Sequence, residues 1–456
     1  MSQIETPQNL SYLAGFLPQP LYLTGGYVRN SLLGLEKGDI DICSALPPQD
    51  VARLIEGSPF EVAACYNRLG TLKIRTGGES YEYTAFRKDY YAEGGRHAPE
   101  KVELCSSLEE DAKRRDFTVN SIYYDILGKE TVDPLGGLED LKKRLIRAFD
   151  PELVFRSDGL RLLRMVRFAC ELGFDIEENT WNAAKKYSHL LKDITPERIF
   201  EEFYRILLSD TRYGVSGFPH YRGFHLLKEL GLLPFILPGI EHCYGVAQRS
   251  DFHRYDVFEH IAQTVKYSHP STRLAAALHD IGKGICHKRQ GNAYGHETVG
   301  AGMAEKILGR QGLKCPRKLV KEVVFLVRHH MYDLKCQTSE NKVRMFIVKN
   351  FPLIEKLMLL KQADFLGCGK ESGINPTVSR WREIIEKMMR EKAPFSLKDI
   401  EVDGRDMLSL GCPPPLISKV LNKLLEDCVY KPDFNKRQLL LERAKKYIDA
   451  ASGGRL

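Results

Sequence analysis

At 456 residues the chain is long enough for two to four domains, and its 43% hydrophobic and 28% charged content is that of an ordinary globular protein. It has no run of 18 apolar residues, which excludes a transmembrane helix, and its eleven cysteines show neither CxxC pairs nor framework spacing, which disfavours a disulfide scaffold or a structural zinc site. The formal net charge of +7, from 67 Lys and Arg against 60 Asp and Glu, permits a polyanionic partner without demanding one.

Residues 1–10 lack a basic-then-apolar signal pattern, so a cytoplasmic location is expected. Residues 21–42 then predict a strand, a tight Gly25-Gly26 turn, a short helix and a second strand. The glycine pair lets the backbone turn sharply and approach an anion without a Cβ in the way. The free N–H groups at the start of the helix, with Arg29 one turn in, make a phosphate cradle. On the second strand Asp39 and Asp41 leave one face while Ile40 and Ile42 turn to the core. Two like charges so placed repel unless a divalent cation joins them, and oxygen-only ligation suits Mg2+ carried by a triphosphate. In this order the two features point to nucleotidyl transfer.

A helix is expected over 47–57, then strands over 60–66, 71–75 and 81–86, giving a small sheet with helices on one side. Glu82 lies on the last of these strands, beside the one carrying Asp39. It either polarises an attacking hydroxyl, completes the metal site, or is simply a charged residue on an exposed face. Within 108–122, Arg114 and Arg115 precede Asp116, with Asn120 one turn later. An arginine there neutralises triphosphate charge in a loose phosphoryl-transfer transition state, or else belongs to a surface helix with ion pairs. A hairpin is expected over 123–132 around Gly128, then a turn at 133–137, where sheet character ends. Beyond it the pattern is helical. Asp158, Arg161, Arg164 and Arg167 recur every third residue and on one helix would form a ridge, with Leu162, Val166 and Ala169 on a packing face. Such an acid and guanidinium match the Watson–Crick edge of a base and the later arginines suit phosphates, or else the ridge is the charged face of an amphipathic helix.

Taken together, Gly-Gly-Tyr-Val-Arg with Asp-Ile-Asp-Ile, then Arg-Arg-Asp-Phe-Thr-Val-Asn, Asp-Pro-Leu-Gly-Gly, Asp-Gly-Leu-Arg-Leu-Leu-Arg-Met-Val-Arg-Phe and Ile-Thr-Pro-Glu-Arg resemble, in order, the motifs of bacterial-type tRNA nucleotidyltransferases. These are the CCA-adding enzymes and the related bacterial poly(A) polymerases, and the likeness covers about residues 20–210. The resemblance implies an α+β head of polymerase-beta type, a mixed sheet with helices, joined to an all-α neck. It implies that Asp39 and Asp41 hold the metals, that Gly26, Arg29 and Arg115 contact the nucleotide, and that Asp158 and Arg161 pair with incoming CTP or ATP. Gly25, Asp116, Asn120, Arg164 and Arg167 complete the expected nucleotide site, with tRNA as the acceptor. Two positions depart from the family pattern: Asn30 follows Arg29 where Asp is common, and Ser157 precedes Asp158 where Glu is usual. Addition of CC, A, CCA or poly(A) stays open.

Residues 213–239 are richer in Gly and Pro and suggest a hinge. Histidines follow: His260, the pair His279-Asp280, His296, the pair His329-His330, and then Asp364. Imidazoles and carboxylates delivered by helices chelate a transition metal and lower the pKa of bound water. This second pattern resembles the HD-domain phosphohydrolases over about residues 250–370. It implies His260, His279, Asp280 and Asp364 as ligands, His296 with His329 or His330 for a second metal, and Lys283 for a phosphate. A helical tail from residue 398 carries Lys431, Lys436, Arg437, Arg443, Lys445 and Lys446, which suit an RNA backbone or a solvated face. The expected domains are a head over 1–137, a neck over 138–212, an HD-type helical body over 213–395 and a tail over 396–456. Competing readings are a metal-dependent phosphohydrolase with a nucleotide-sensing head, and a non-catalytic RNA-binding scaffold.

Overall fold

In the computed structural model, which describes residues 4–91, 99–248, 254–370 and 372–452, eleven strands occur. They are β1 (Tyr22–Thr24), β2 (Asp41–Ser44), β3 (Glu61–Tyr66), β4 (Thr71–Thr76), β5 (Glu79–Ala85), β6 (Arg87–Tyr90), β7 (Lys101–Leu104), β8 (Tyr123–Asp125), β9 (Thr131–Val132), β10 (Leu145–Ile146) and β11 (Asp175–Ile176). Seven form one mixed sheet in the order β3-β4-β5-β2-β1-β8-β9. Only β2 and β5 pair in parallel there, with Asp41 opposite Glu82 and Ile42 opposite Tyr83. Period-two burial fixes this register: Leu72, Ile74, Tyr81 and Tyr83 are buried, whereas Lys73, Arg75 and Glu82 are exposed. A one-residue slip would send the apolar set to solvent.

The chain divides into two units, Met1–Glu241 with Ile307–Cys315, and His242–Lys306 with Pro316–Leu456. Residues 1–3 and 453–456, the outermost parts of the expected head and tail, lie outside the described residues. In the first unit the helix Gly25–Leu33 springs directly from β1, buries Val28 against the sheet, and stops where Gly34 takes a left-handed conformation with φ 68°.

Several expectations need correction in this unit. Sheet structure does not end at residue 137, because β10 and β11 form a short parallel pair among the helices. The antiparallel pair β6 and β7, whose intervening residues 92–98 lie outside the described residues, was not foreseen. The acid-and-arginine ridge is not one helix. Pro151–Ser157 ends before Asp158, which is extended (φ −151°, ψ 106°), and a new helix starts at Arg161 and runs to Leu172. Nor are residues 213–239 a hinge: the helix Pro219–Glu229 packs on the helices Arg161–Leu172 and Pro196–Leu207, and the first unit continues to Glu241.

The described residues of the second unit are helical. The helix Val257–Tyr267 packs along Phe351–Gly367, and the fully buried Trp381 donates its indole N–H to Asp333 at 3.0 Å. A Cβ on Gly282 would lie 2.3 Å from the His296 carbonyl oxygen, so glycine lets the chain after Asp280 pass against the start of the helix His296–Leu308. No helix among the described residues is long and apolar enough to cross a membrane.

Candidate active site and metal centre

Gly25 has φ +68°, and a Cβ there would stand 3.1 Å from Asp41 Oδ2 and 4.0 Å from Arg115 Nη1. Elbow, acid and guanidinium therefore meet in one small volume, and any L side chain would both strain the backbone and crowd the carboxylate. Asp41 opens β2, whereas Asp39 lies two residues before the strand and not on it as expected, and both line the cavity. Glu82 neighbours Asp41 across the parallel pair but stays on the exposed sheet face, outside the cavity lining. Burial raises the Asp41 carboxyl to about 6, Glu82 and Asp39 add to the rise, and Arg115 and Arg164 oppose it. Asp39 and Asp41, two crowded carboxylates that offer only oxygen donors, fit a hard divalent cation.

The cavity they border has a volume of about 370 Å³ and is lined by nine arginines and four aspartates. Arg29 is almost fully buried, donates to Asn120 Oδ1 at 2.6 Å and to Asn30 Oδ1 at 2.8 and 3.1 Å, and is pulled below the usual arginine range by that burial while staying charged at neutral pH. Asp116 accepts from Arg164 Nε at 2.8 Å and from Asn120 at 2.9 Å; burial opposes its charge, yet Arg164 outweighs it and holds the carboxyl well below the carboxylate range.

Asp111, which the sequence reading passed over, organises this wall. It is fully buried and accepts from Arg114 Nε at 2.8 Å, Arg115 Nη2 at 3.0 Å and the Tyr123 hydroxyl at 2.8 Å. Its i,i+3 and i,i+4 spacing to the two arginines was the available signal. Asp111→Asn leaves two largely buried guanidiniums without their shared anion, so chemical denaturation should show a loss of about 3–5 kcal/mol.

At the other end, Asp158 Oδ1 accepts from the Leu160 N–H at 3.0 Å and Oδ2 from Arg198 at 3.4 Å. Arg161 donates to Ser157 Oγ at 2.9 Å and to the Arg114 carbonyl at 2.7 Å. The helix break thus presents Asp158 and Arg161 together at the cavity, although one ridge does not. Arg167 is bound inward to Glu202 at 2.6 Å and Glu171 at 3.0 Å. Arg198, Arg205 and Arg212 also line the cavity and were given no role from the sequence; Arg198 and Arg205, seven residues apart on the helix Pro196–Leu207, share one side of it.

The second unit holds two groups of metal-ligand type, His260 with His279 and Asp364, and Asp280 with His296 and His330. Asp280 joins them: Oδ2 lies 3.2 Å from His260 Nε2 and 3.3 Å from His279 Nε2, and Oδ1 lies 3.0 Å from His296 Nε2 and 3.5 Å from His330 Nε2. The Nδ1 atoms of His279, His296 and His330 lie 2.7–2.8 Å from the carbonyls of Ala276, Ala293 and Val327, which sets them as donors and leaves Nε2 with the lone pair. His296 and His330 then face each other Nε2 to Nε2 at 3.2 Å, an arrangement relieved by a shared proton or a cation. Burial resists charge on His296, but Asp280 outweighs it and raises the ring above the usual histidine range. The nitrogen and oxygen donor set fits a transition metal.

His329 is not part of this centre. It lies one position earlier on the helix Arg317–His329, which turns its ring to Phe325 (4.6 Å between centroids) and Phe346 (5.3 Å). The partner of His296 is His330. Its carbonyl and that of Tyr332 accept from the buried Lys361 ammonium at 2.6 and 2.7 Å, which secures the helix end. Lys283 contacts Asp280 Oδ2 at 2.6 Å. In the tail, Arg437 pairs with Asp406 and Arg443 with Asp427, and Lys431 lies over the Phe434 ring, so at least three of the six basic groups named there are engaged within the protein.

Residues 21–147 match the family described as poly A polymerase head domain, 173–243 a probable RNA and SrmB-binding site of polymerase A, and 239–349 the HD domain. A CCA-adding enzyme of Ligilactobacillus salivarius is 42% identical over 199 residues, 43% of this chain and 48% of that protein, so the match spans about half the relative's length. An A-adding tRNA nucleotidyltransferase of Deinococcus radiodurans is 30% identical over 437 residues, covering 90% of this chain and 91% of that one. The crystal structure of a Bacillus stearothermophilus CCA-adding enzyme in complex with CTP shares the fold, with a TM-score of 0.67 at 23% identity over 99% of this chain and 100% of the other. Near end-to-end similarity, following a head in which elbow, acids and arginines meet, places the chain in the tRNA nucleotidyltransferase family, the family of CCA-adding and A-adding enzymes.

Proposed function

We propose that this protein adds CMP and AMP from CTP and ATP to the 3′ end of tRNA without a nucleic-acid template. The observation that carries the reading is the seating of the Gly25 elbow, where a Cβ would stand only 3.1 Å from Asp41 Oδ2, inside the arginine-lined cavity. In this reading residues 1–137 hold the triphosphate, the following helices read the base, and the body and tail contact RNA in the cytoplasm.

Asp39 and Asp41 would hold Mg2+, with Glu82 beside them. Magnesium bound there supplies activation of the terminal ribose hydroxyl and stabilisation of departing pyrophosphate. The elbow N–H groups, Arg29 and Arg115 meet the triphosphate, and the preorganised guanidiniums meet charge as it develops without reorganising. Asp158 and Arg161 present an acceptor and planar donors to the base edge, and the hydrogen bonds of Arg161 to Ser157 Oγ and the Arg114 carbonyl fix its plane. Arg161→Ala should therefore shift the CTP to ATP preference by roughly 10-fold or more while triphosphate binding holds; competition assays with both nucleotides read it, and an unchanged preference removes the base-reading role.

The test of the whole reading uses tRNA transcripts ending before the first C, after the second C, or complete, each given CTP, ATP or both. Extension of the first transcript to full CCA supports the proposal. Extension only of the second, by A alone, assigns the A-adding activity named for the Deinococcus relative, and no extension refutes the proposal.

The joined histidine and aspartate groups favour a second reading for the other unit, an HD-type phosphohydrolase. His260, His279, Asp280, His296, His330 and Asp364 would hold the metal, which supplies Lewis acidity toward a phosphoryl oxygen. Lys283 offers a cation for the substrate phosphate. Hydrolysis of a generic phosphodiester with added divalent transition metals, lost on His279→Ala, tests it.

A further inference from the structure

Phe168 borders the arginine-lined cavity at 5% exposure, and three guanidinium groups lie over its ring. The Arg167, Arg29 and Arg164 carbons are 4.2, 4.9 and 5.2 Å from the ring centroid. Phe117 holds the ring in an edge contact, 6.0 Å between centroids and 84° between planes. The three cations differ in what else they touch. Arg164 has Asp116, and Arg167 has Glu171 and Glu202, but no carboxylate among the described residues lies within 4 Å of Arg29. The hydrogen-bond partners of Arg29 are the neutral amide oxygens of Asn30 and Asn120.

A buried cation with Glu171 and Asp116 acting on it only at longer range, and no carboxylate in contact, needs another source of stabilisation. A carboxylate at this point would cancel the charge meant for a triphosphate, whereas the negative face of a phenyl ring stabilises the cation and leaves its charge intact. The same ring spaces three mutually repelling guanidiniums. Resting on the nucleotide-binding reading above, we propose that Phe168 is a positioning residue: its ring, set among Arg29, Arg164 and Arg167, holds Arg29 desolvated and charged at the triphosphate end of the cavity. Its effect falls on the phosphates common to both substrates and not on the base.

Steady-state kinetics with CTP and ATP, together with competition by tripolyphosphate, test this in the full-length protein with Mg2+. Phe168→Leu should raise KM for both nucleotides by the same ~10-fold, weaken tripolyphosphate competition equally, and leave the CTP to ATP ratio unchanged, whereas Phe168→Tyr should stay within about 2-fold of wild type. Should the leucine variant fail to fold, pentafluorophenylalanine at 168 keeps the shape and reverses the polarity of the ring face, and it should reproduce the loss. A leucine or pentafluorophenylalanine variant with wild-type KM and wild-type tripolyphosphate competition overturns the proposal, as does a loss confined to one nucleotide. If the wild-type protein incorporates neither nucleotide, the nucleotidyl-transfer reading falls, and calorimetric binding of tripolyphosphate to wild type and variants still decides the role of Phe168.

Discussion

Asp41→Asn should lower CMP and AMP incorporation by roughly 10³-fold, equivalent to about 4 kcal/mol of transition-state stabilisation, and Asp39→Asn should do the same. The substitution keeps the shape of the side chain and removes one of the two charges available to the cation. The elbow at Gly25 and the arginine wall held by Asp111 do not depend on it. A second signature separates this loss from unfolding. In the metal-free folded chain Asp41 is raised to about 6 by burial and by Glu82 and Asp39, so its ionised form opposes folding at neutral pH. The unfolded carboxyl ionises near 3.9, hence the opposition is complete above the folded pKa and fades as pH falls toward the unfolded one. In EDTA, Asp41→Asn should therefore be more stable than wild type at pH 8, with the gain shrinking toward pH 4. Activity that stays within tenfold of wild type in Mg2+ would refute the assignment, and a stability loss at pH 8 would refute the repulsion argument.

The parts of the fold that were legible in the sequence are those in which the residues themselves set backbone and spacing. A glycine pair after Leu-Tyr-Leu and an Asp-x-Asp pair each announce a local geometry, and period-two alternation in residues 71–85 sets the register that puts Glu82 beside Asp41. What was illegible depended on tertiary partners. The helical period ran through residues 158–167, yet Asp158 bonds to the Leu160 N–H and breaks the helix there. Nothing in the spacing of Arg167 tells that Glu202, on another helix, turns it inward. His329 and His330 are adjacent and chemically alike; only the packing of Phe325 and Phe346 on one, and the proximity of His296 to the other, separates them. The short pair β10 and β11 left too few residues for any period. Phe168 carried no expectation, because no local pattern marks an aromatic ring as a support for Arg29, far away in the chain.

Asp280→Asn should remove transition-metal binding from the second unit altogether, whereas variants of the other ligands should remove only part of it. The reason is connectivity. One oxygen of Asp280 faces His260 and His279 and the other faces His296 and His330, so a single carboxylate belongs to both groups. An amide cannot replace it, because it offers one acceptor oxygen and turns an N–H donor toward imidazole nitrogens on the other side. Asp364→Asn reaches only the group with His260 and His279, and His330→Gln only the group with His296. His329→Gln should change nothing, since its ring packs among phenylalanines. Elemental analysis of protein carrying Asp39→Asn and Asp41→Asn, which silences the head, should give the ordering wild type and His329→Gln highest, Asp364→Asn and His330→Gln lower, and Asp280→Asn near zero. Lysine 283, 2.6 Å from the same carboxylate, should then lose its anion as well, so circular dichroism is the control that the helices persist. Full metal content in Asp280→Asn would mean that the two groups are independent and that the carboxylate joins them only in the absence of metal.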